Sequence, residues 1–112
     1  MLTGSLDSFR RELLISQGCC SDINNLLQIK VSTAVDIKIK AQACRAAKNL
    51  AREKRGRRFL DDLGVCERII VILESIEFGN SYDIHLNGIR ALANLALNKR
   101  MQQLIINKVI FC

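Results

Sequence analysis

The chain has 112 residues, 49% of them hydrophobic, and a formal net charge of +6, values that fit one small folded domain and exclude a disordered or fibrous class. No apolar run approaches the roughly 20 residues that cross a bilayer. Charged residues interrupt the first 25 positions, unlike the apolar centre of a secretory signal. We therefore expect a cytoplasmic or nuclear protein that does not contact a membrane.

The chain lacks proline and tryptophan, which favours long helices and a core of Leu, Ile, Val and Ala. Apolar spacing and helix-ending residues predict helices over residues 8–17, 19–29, 36–52, 55–63, 65–78, 81–97 and 99–107. Gly18 and Gly64 should close the first and fourth helices in the left-handed conformation. Asp36 and Ser81 are the predicted N-caps of the third and sixth helices, and residues 78–81 a turn. The fold class is therefore all-α.

The sequence repeats itself with a period of about 45 residues. Residues 11–30 align with 57–76 at an offset of 46, and residues from 44 onward align at an offset of 45. Seven of the seventeen residues from 44 to 60 recur identically at the second offset, namely Arg45, Ala46, Asn49, Leu50, Ala51, Lys54 and Arg55. Such a period is typical of helical solenoids. We divide the single domain into repeats at about 9–54 and 55–98, with part of a third at 99–112.

The third helix of each repeat carries a stripe of amides and arginine at positions i, i+3 and i+7, which lie along one side of a helix. The stripes are the predicted partner-binding residues, Gln42, Arg45 and Asn49 in the first repeat and Asn87, Arg90 and Asn94 in the second. The opposite side is apolar and should face the core, with Ala43, Ala46, Ala47 and Leu50 in the first helix and Ile89, Leu92 and Leu95 in the second.

Positive charge is concentrated in residues 38–58, where nine basic residues face one acidic residue for a net +8. The densest part is a basic patch formed by Arg52, Lys54, Arg55, Arg57 and Arg58, between the two repeats. A solvated connector, a nucleic-acid or phosphate contact, and a nuclear-localisation signal are the alternatives. Only one aromatic residue, Phe59, adjoins the patch, so no base-stacking platform is indicated.

No catalytic or cofactor site is predicted. The pair Asp61 and Asp62 has no nucleophile or metal motif beside it, and the single His85 has no cysteine at ligand spacing. Three of the five cysteines lie among apolar residues, where a free thiol packs as a small hydrophobe, namely Cys20, Cys44 and Cys66. Free thiols suit a reducing compartment. We expect a non-catalytic protein.

Each repeat has a short helix followed by two longer ones. A glycine precedes the second helix, and the third ends in Ala-Ala-Lys-Asn-Leu-Ala (46–51) or Ala-Leu-Ala-Asn-Leu-Ala (91–96). This pattern resembles the armadillo repeat family, which implies a right-handed α-α superhelix. The family's Gly-Ala-Ile-Pro entry to the second helix is absent, and Lys108-Val109 stand where a third glycine is expected.

The resemblance implies that the third helices line a concave groove, where Asn49 and Asn94 hold the main chain of an extended peptide. A carboxamide can pair with both N–H and C=O of a passing backbone. In family members that bind basic import signals, the position four residues earlier is typically Trp. Here it is Arg45 or Arg90, which favours an acidic or phosphorylated segment.

Two other interpretations of the stripes remain. The asparagines could bond the neighbouring repeat while the arginines pair with its acidic residues, or the chain could be a structural segment of a larger scaffold. Its last residues, 104–106 and 109–112, form an apolar edge. From this edge we expect either a fragment of a longer solenoid or self-association through that end.

Overall fold

The computed structural model describes the backbone of residues 2–75 and 81–109, with side chains for residues 6–75, 81–100 and 102–107. These ranges form seven helices and no strand. The helices are α1 (Leu2–Ser16), α2 (Cys19–Leu27), α3 (Ala34–Leu50), α4 (Lys54–Asp62), α5 (Val65–Glu74), α6 (Tyr82–Leu95) and α7 (Lys99–Val109). None of them is long and apolar enough to cross a membrane.

The two predicted glycine turns are confirmed. Gly18 has φ 85° and Gly64 has φ 81°, and each lies between a first helix and a second helix. Glycine takes this left-handed conformation without the steric cost of a Cβ. The described residues are all-α, as predicted, and both glycines lie where the chain reverses direction. The helix α1 begins at Leu2 rather than at residue 8.

The predicted N-cap of the third helix is wrong. Thr33 is the N-cap of α3, and its hydroxyl accepts a hydrogen bond from the Asp36 N–H at 3.3 Å. Asp36 instead accepts from the Thr33 N–H at 3.1 Å, which completes a capping box. Thr and Asp are both common at helix N-caps. Here the reciprocal hydrogen bonds between Thr33 and Asp36 place the first helical residue at Ala34. The N-cap of α6 is Ser81, as predicted, while residues 78–80 of the predicted turn lie outside the described residues.

The third helices α3 and α6 make the most extensive contact of the structure, and each also packs on its own second helix, α2 or α5. The core of the structure is aliphatic, with Leu60 of α4, Ile69 of α5, and Ile84 and Leu95 of α6 fully buried. Lys40 is also buried, and its ammonium group donates to the carbonyl of Leu27 at the end of α2. A cation at a helix C-terminus is favoured by the partial negative charge there.

The first helix of the second repeat crosses the end of α3 at close range. A Cβ at Gly56 would overlap the carbonyl oxygen of Leu50 and lie 3.0 Å from Cδ1 of Ile15. Arg57 reaches back from the same helix and donates from Nη1 to the Ala51 carbonyl at 2.9 Å. The absence of a side chain at position 56 therefore allows α4 to pack directly against the end of α3.

Ion pairs join successive first helices at equivalent positions. Arg55 of α4 donates to Ser16 at 2.8 Å and to Glu12 at 3.2 Å on α1. Its counterpart at an offset of 45, Arg100 of α7, bonds Asp61 of α4 at 2.6 Å. The helices α1, α4 and α7 thus follow one another in the same arrangement.

Two predictions about apolar surfaces need correction or restriction. Ile89, expected to face the core, is 58% exposed, whereas Leu92 and Leu95 are buried. At the predicted C-terminal edge, Leu104 and Ile105 pack against the core and Ile106 is exposed. The side chains of residues 108–112 lie outside the described part of the chain.

Candidate functional site

The predicted binding stripes lie on neighbouring helices. Gln42 and Arg45 on α3 and Arg90 on α6 are exposed. The amide residues Asn49, Asn87 and Asn94 are half-buried. Asn94 lies where the third helices meet, whereas Gln42 and Asn49 line hollows that α3 forms with α1 and α2.

One asparagine of the stripes joins the two repeats. Asn94 Nδ2 donates to the backbone carbonyl of Lys48 at 2.8 Å, a link between the last turns of α6 and α3. This is the contact that the structural interpretation of the stripes expected for an asparagine. It leaves one N–H and the carbonyl oxygen of the Asn94 side chain available, and it fixes the register of α6 on α3.

Four cations gather at this junction. Arg45 and Lys48 lie one turn apart on α3, Arg52 lies in the turn that follows α3, and the Asn94 bond places Arg90, one turn earlier on α6, beside them. We call these four residues the third-helix cation cluster. Partial burial lowers the pKa of Lys48, and the charges of Arg90, Arg45 and Arg52 lower it further.

The cluster has no internal counter-ion among the described residues. None of its four side chains makes a hydrogen bond or an ion pair there. Like charges held together without an anion repel one another, and an anionic ligand would remove that repulsion. Lys48 was not among the predicted site residues, although its spacing of three from Arg45 and four from Arg52 could have indicated it.

The basic patch of residues 52–58 is divided by the fold. Arg55 is bound to α1 and lies over the Phe59 ring, 5.7 Å from its centroid. Arg57 donates to the carbonyls of Ala51 and Arg52, and its Nε atom is buried without a partner among the described residues. The side chains of Lys54 and Arg58 are exposed and make no such contact in that part of the chain. The patch is therefore not one continuous free surface.

The buried thiols do not form a reactive site. Burial raises the pKa of Cys44 to about 11 and that of Cys66 to about 12. Burial also raises the pKa of Cys20, with a further contribution from Cys19. These thiols are therefore protonated at neutral pH and pack as small hydrophobes, as expected.

No metal site is found among the described residues, since no group of three or more potential ligands occurs there. His85 is half-buried, and its Nδ1 lies 2.8 Å from the carbonyl oxygen of Ser81, one turn earlier. With a proton on Nδ1, the ring donates to that carbonyl and supports the first turn of α6.

Comparison with protein-family models, with curated proteins and with solved structures gave no match for this chain.

Proposed function

We propose that the chain is a non-catalytic protein-binding module whose third-helix cation cluster binds an extended acidic segment of a partner protein. The observation that carries this proposal is the junction of α3 and α6, where four cations lie together and no described carboxylate neutralises them. The charge-assisted hydrogen bonds of guanidinium groups with carboxylates or phosphates are among the strongest polar contacts in proteins.

Other basic residues of the same chain show the contrast. Arg11 donates to Glu53 at 2.7 Å. Burial raises the pKa of Glu53, but hydrogen bonds from Arg11 and Ser8 and the charges of Arg11 and Arg57 lower it overall. Arg100 is likewise paired with Asp61. Acidic residues thus pair with arginines elsewhere in the fold, and the absence of a described carboxylate from the junction supports a site for an anion from another molecule.

The amide residues support an extended peptide as the form of that anion. Gln42, Asn49 and Asn87 make no side-chain hydrogen bond with a described residue, and Asn94 uses only one of its donors. Asn87 and Asn94 flank Arg90 of the cluster along α6, and their carboxamides can pair with a peptide backbone. In this proposal the main chain lies along the amides while its acidic side chains reach the arginines.

We further propose that the two three-helix units are armadillo-type repeats in a right-handed superhelix. The support is the short helix, glycine turn, second helix and third helix that occur twice in the same order, with equivalent contacts between first helices. A scaffold or adaptor role in the cytoplasm or nucleus suits such a module, and the free, buried thiols suit a reducing compartment.

The test is fluorescence anisotropy with a labelled glutamate-rich peptide and a lysine-rich peptide of equal length. We expect the acidic peptide to bind more tightly, with an affinity that falls as salt is added. The double variant Arg45→Glu/Arg90→Glu should weaken binding by roughly tenfold or more, since two charge-assisted contacts become repulsive. Unchanged binding by this variant would refute the proposed groove.

The matched control is Lys54→Glu/Arg58→Glu, which changes the net charge by the same amount on exposed, unpaired residues of α4. We expect it to bind the acidic peptide nearly as well as the parent chain. If this control loses affinity and the groove variant does not, the basic patch is the anion site. A nucleic-acid titration against salt would then examine the phosphate-binding alternative.

A further inference from the structure

The side of α1–α3 that points away from the second repeat is apolar and open. One hollow there is lined by Val35, Ile39 and Ala46, and an adjoining one by Leu14, Ala46 and Asn49. Leu26 lines both hollows. We call this surface the N-terminal face. It lies on the opposite side of α3 from the junction with α6 and is distinct from the cation cluster.

The second repeat shows what covers the equivalent surface. An offset of 45 places Ile39, Ala46 and Asn49 on Ile84, Ala91 and Asn94, which are the same residue types. In the second repeat the first two of these are fully buried, and Asn94 donates to a carbonyl of α3. The chain therefore contains both an occupied and an unoccupied copy of one helix-binding surface.

The helix that covers this surface in the second repeat is α3. The helix α3 carries the small residues Ala41 and Cys44, and Ala51 follows its last turn, all almost fully buried. Small residues let two helices approach closely. The last turns of the helices meet at the bond from Asn94 to Lys48, so the two run in the same direction along their contact.

We propose that the N-terminal face binds an α-helix of a partner protein, parallel to α3, with a stripe of small residues against Ile39 and Ala46. Its last turn supplies a backbone carbonyl oxygen to Asn49 Nδ2. The half-buried Asn49 side chain makes no hydrogen bond with the described residues, so its donors are available for this contact.

A second copy of this chain fits the face less well than a separate helix does. Among the described helices, a second copy can offer α6 as its third helix, because α3 is already in contact with α6. The helix α7 follows α6 as α4 follows α3. Docking would bring α1 of one copy to the position already held by α7 of the other. A partner helix without an attached first helix avoids this overlap.

The probe is a synthetic peptide of residues 32–52, which contains α3 and its capping box, added to the full chain labelled with nitrogen-15. We expect saturable shifts of the Asn49 side-chain amide signals and of backbone signals near Val35 and Ala46. Val35→Glu should weaken binding by about tenfold or more, since it places a charge in an apolar contact. The matched variant Val71→Glu, on an equally exposed valine of α5, should leave binding unchanged.

A second pair of changes examines the hydrogen bond. Asn49→Ala should weaken the peptide by roughly fivefold, which corresponds to one lost hydrogen bond. A peptide with Cys44→Lys should bind no better than a scrambled peptide, because the stripe of small residues is interrupted. High salt should preserve this binding, in contrast to that of the acidic peptide.

Three results would overturn the inference. The first is the absence of saturable shifts at the N-terminal face. The second is an equal loss of binding in the Val35→Glu and Val71→Glu variants while circular dichroism shows both folded. The third is self-association of the chain on concentration that Val35→Glu abolishes, since a second copy would then be the occupant.

Discussion

The two third helices have nearly the same sequence pattern, but their surroundings differ. On the side facing the first repeat, Ala91 of α6 is fully buried, whereas the equivalent Ala46 of α3 lies in an open hollow. The first helices show the same contrast, with Leu60 fully buried and its equivalent Leu14 43% exposed. The burial of a residue in this fold therefore depends on whether a neighbouring repeat covers it.

The opposite sides of α3 and α6 differ in the reverse sense. Cys44 is fully buried, and its equivalent Ile89 is exposed. Charge differs as well, because Lys48 of α3 and Arg52 in the turn after it correspond to the uncharged Ala93 of α6 and Leu97 in the turn after α6. The cation cluster therefore belongs mainly to α3, and the second repeat completes it with one arginine.

The largest expected difference between the repeats is at the first-helix leucines. Leu60→Ala removes a fully buried side chain and should lower the free energy of unfolding by about 2–5 kcal/mol. Leu14→Ala removes an equivalent but partly exposed side chain and should cost less than about 1 kcal/mol. Urea unfolding followed by circular dichroism measures both. Equal losses would mean that the first repeat is covered in solution at the N-terminal face.

The next comparison uses the buried thiols. The pKa of Cys66 is raised by burial to about 12, above its ordinary value of 9.0. Between these values the thiol ionises only in the unfolded chain, so stability is lost as pH rises. The expected slope is about 1.4 kcal/mol per pH unit for each such thiol.

The measurement is the urea midpoint at several pH values from 9.0 to about 11, for the parent chain and for Cys66→Ala. The variant loses packing and starts from a lower stability, but its decline with pH should be shallower by the contribution of one thiol. Parallel declines would show that the Cys66 thiol ionises equally in the folded and unfolded states.

A smaller difference is expected between the asparagines. Asn94→Ala removes the donor to the Lys48 carbonyl and should destabilise the chain by about 1 kcal/mol, the usual net value of one hydrogen bond. Asn49→Ala should change stability little, since its side chain has no hydrogen bond among the described residues. If the two variants are equally destabilised, Asn49 has a structural partner and is not free to bind a ligand.

Periodicity and turn residues were sufficient to predict the order of the helices and the two left-handed glycines. These features depend on local preferences that every copy of the repeat expresses. The exposure of Ile89 could not be predicted in this way, because it is determined by which helix packs on α6. The same holds for the gathering of Lys48 with Arg90, which requires the register that the Asn94 bond imposes.

The contacts of the binding stripes likewise depend on which helices pack together. Spacing along each helix placed Arg45 with Asn49, and Arg90 with Asn94, on one helix side. It did not indicate that Asn94 bonds the preceding repeat while Asn49 borders an open hollow. Both positions are asparagine, but their contacts differ because only Asn94 has a preceding repeat among the described residues.

The smallest expected difference is between the N-caps of the third helices. Thr33 and Asp36 form a reciprocal pair at the start of α3, whereas the Ser81 hydroxyl accepts one bond, from the Ile84 N–H at 3.3 Å, with no reciprocal partner among the described residues. Thr33→Ala should cost about 1 kcal/mol. Ser81→Ala should cost somewhat less, because no reciprocal bond is lost with it.

Ser32→Ala provides the control for the start of α3. The Ser32 N–H donates to Asp36 at 2.9 Å and its hydroxyl at 3.0 Å, and the N–H bond contributes most to the lowered pKa of Asp36. The substitution removes only the hydroxyl, so the capping box should survive with a small loss. Because the pKa of Asp36 is lowered, its ionised carboxylate stabilises the folded state at pH values above the ordinary carboxyl pKa of 3.8. This stabilisation should be lost as the pH falls below 3.8. Amide exchange of the first turn of α3 measures each case. If Ser32→Ala accelerates exchange as much as Thr33→Ala, the Asp36 carboxylate alone fixes where the helix begins.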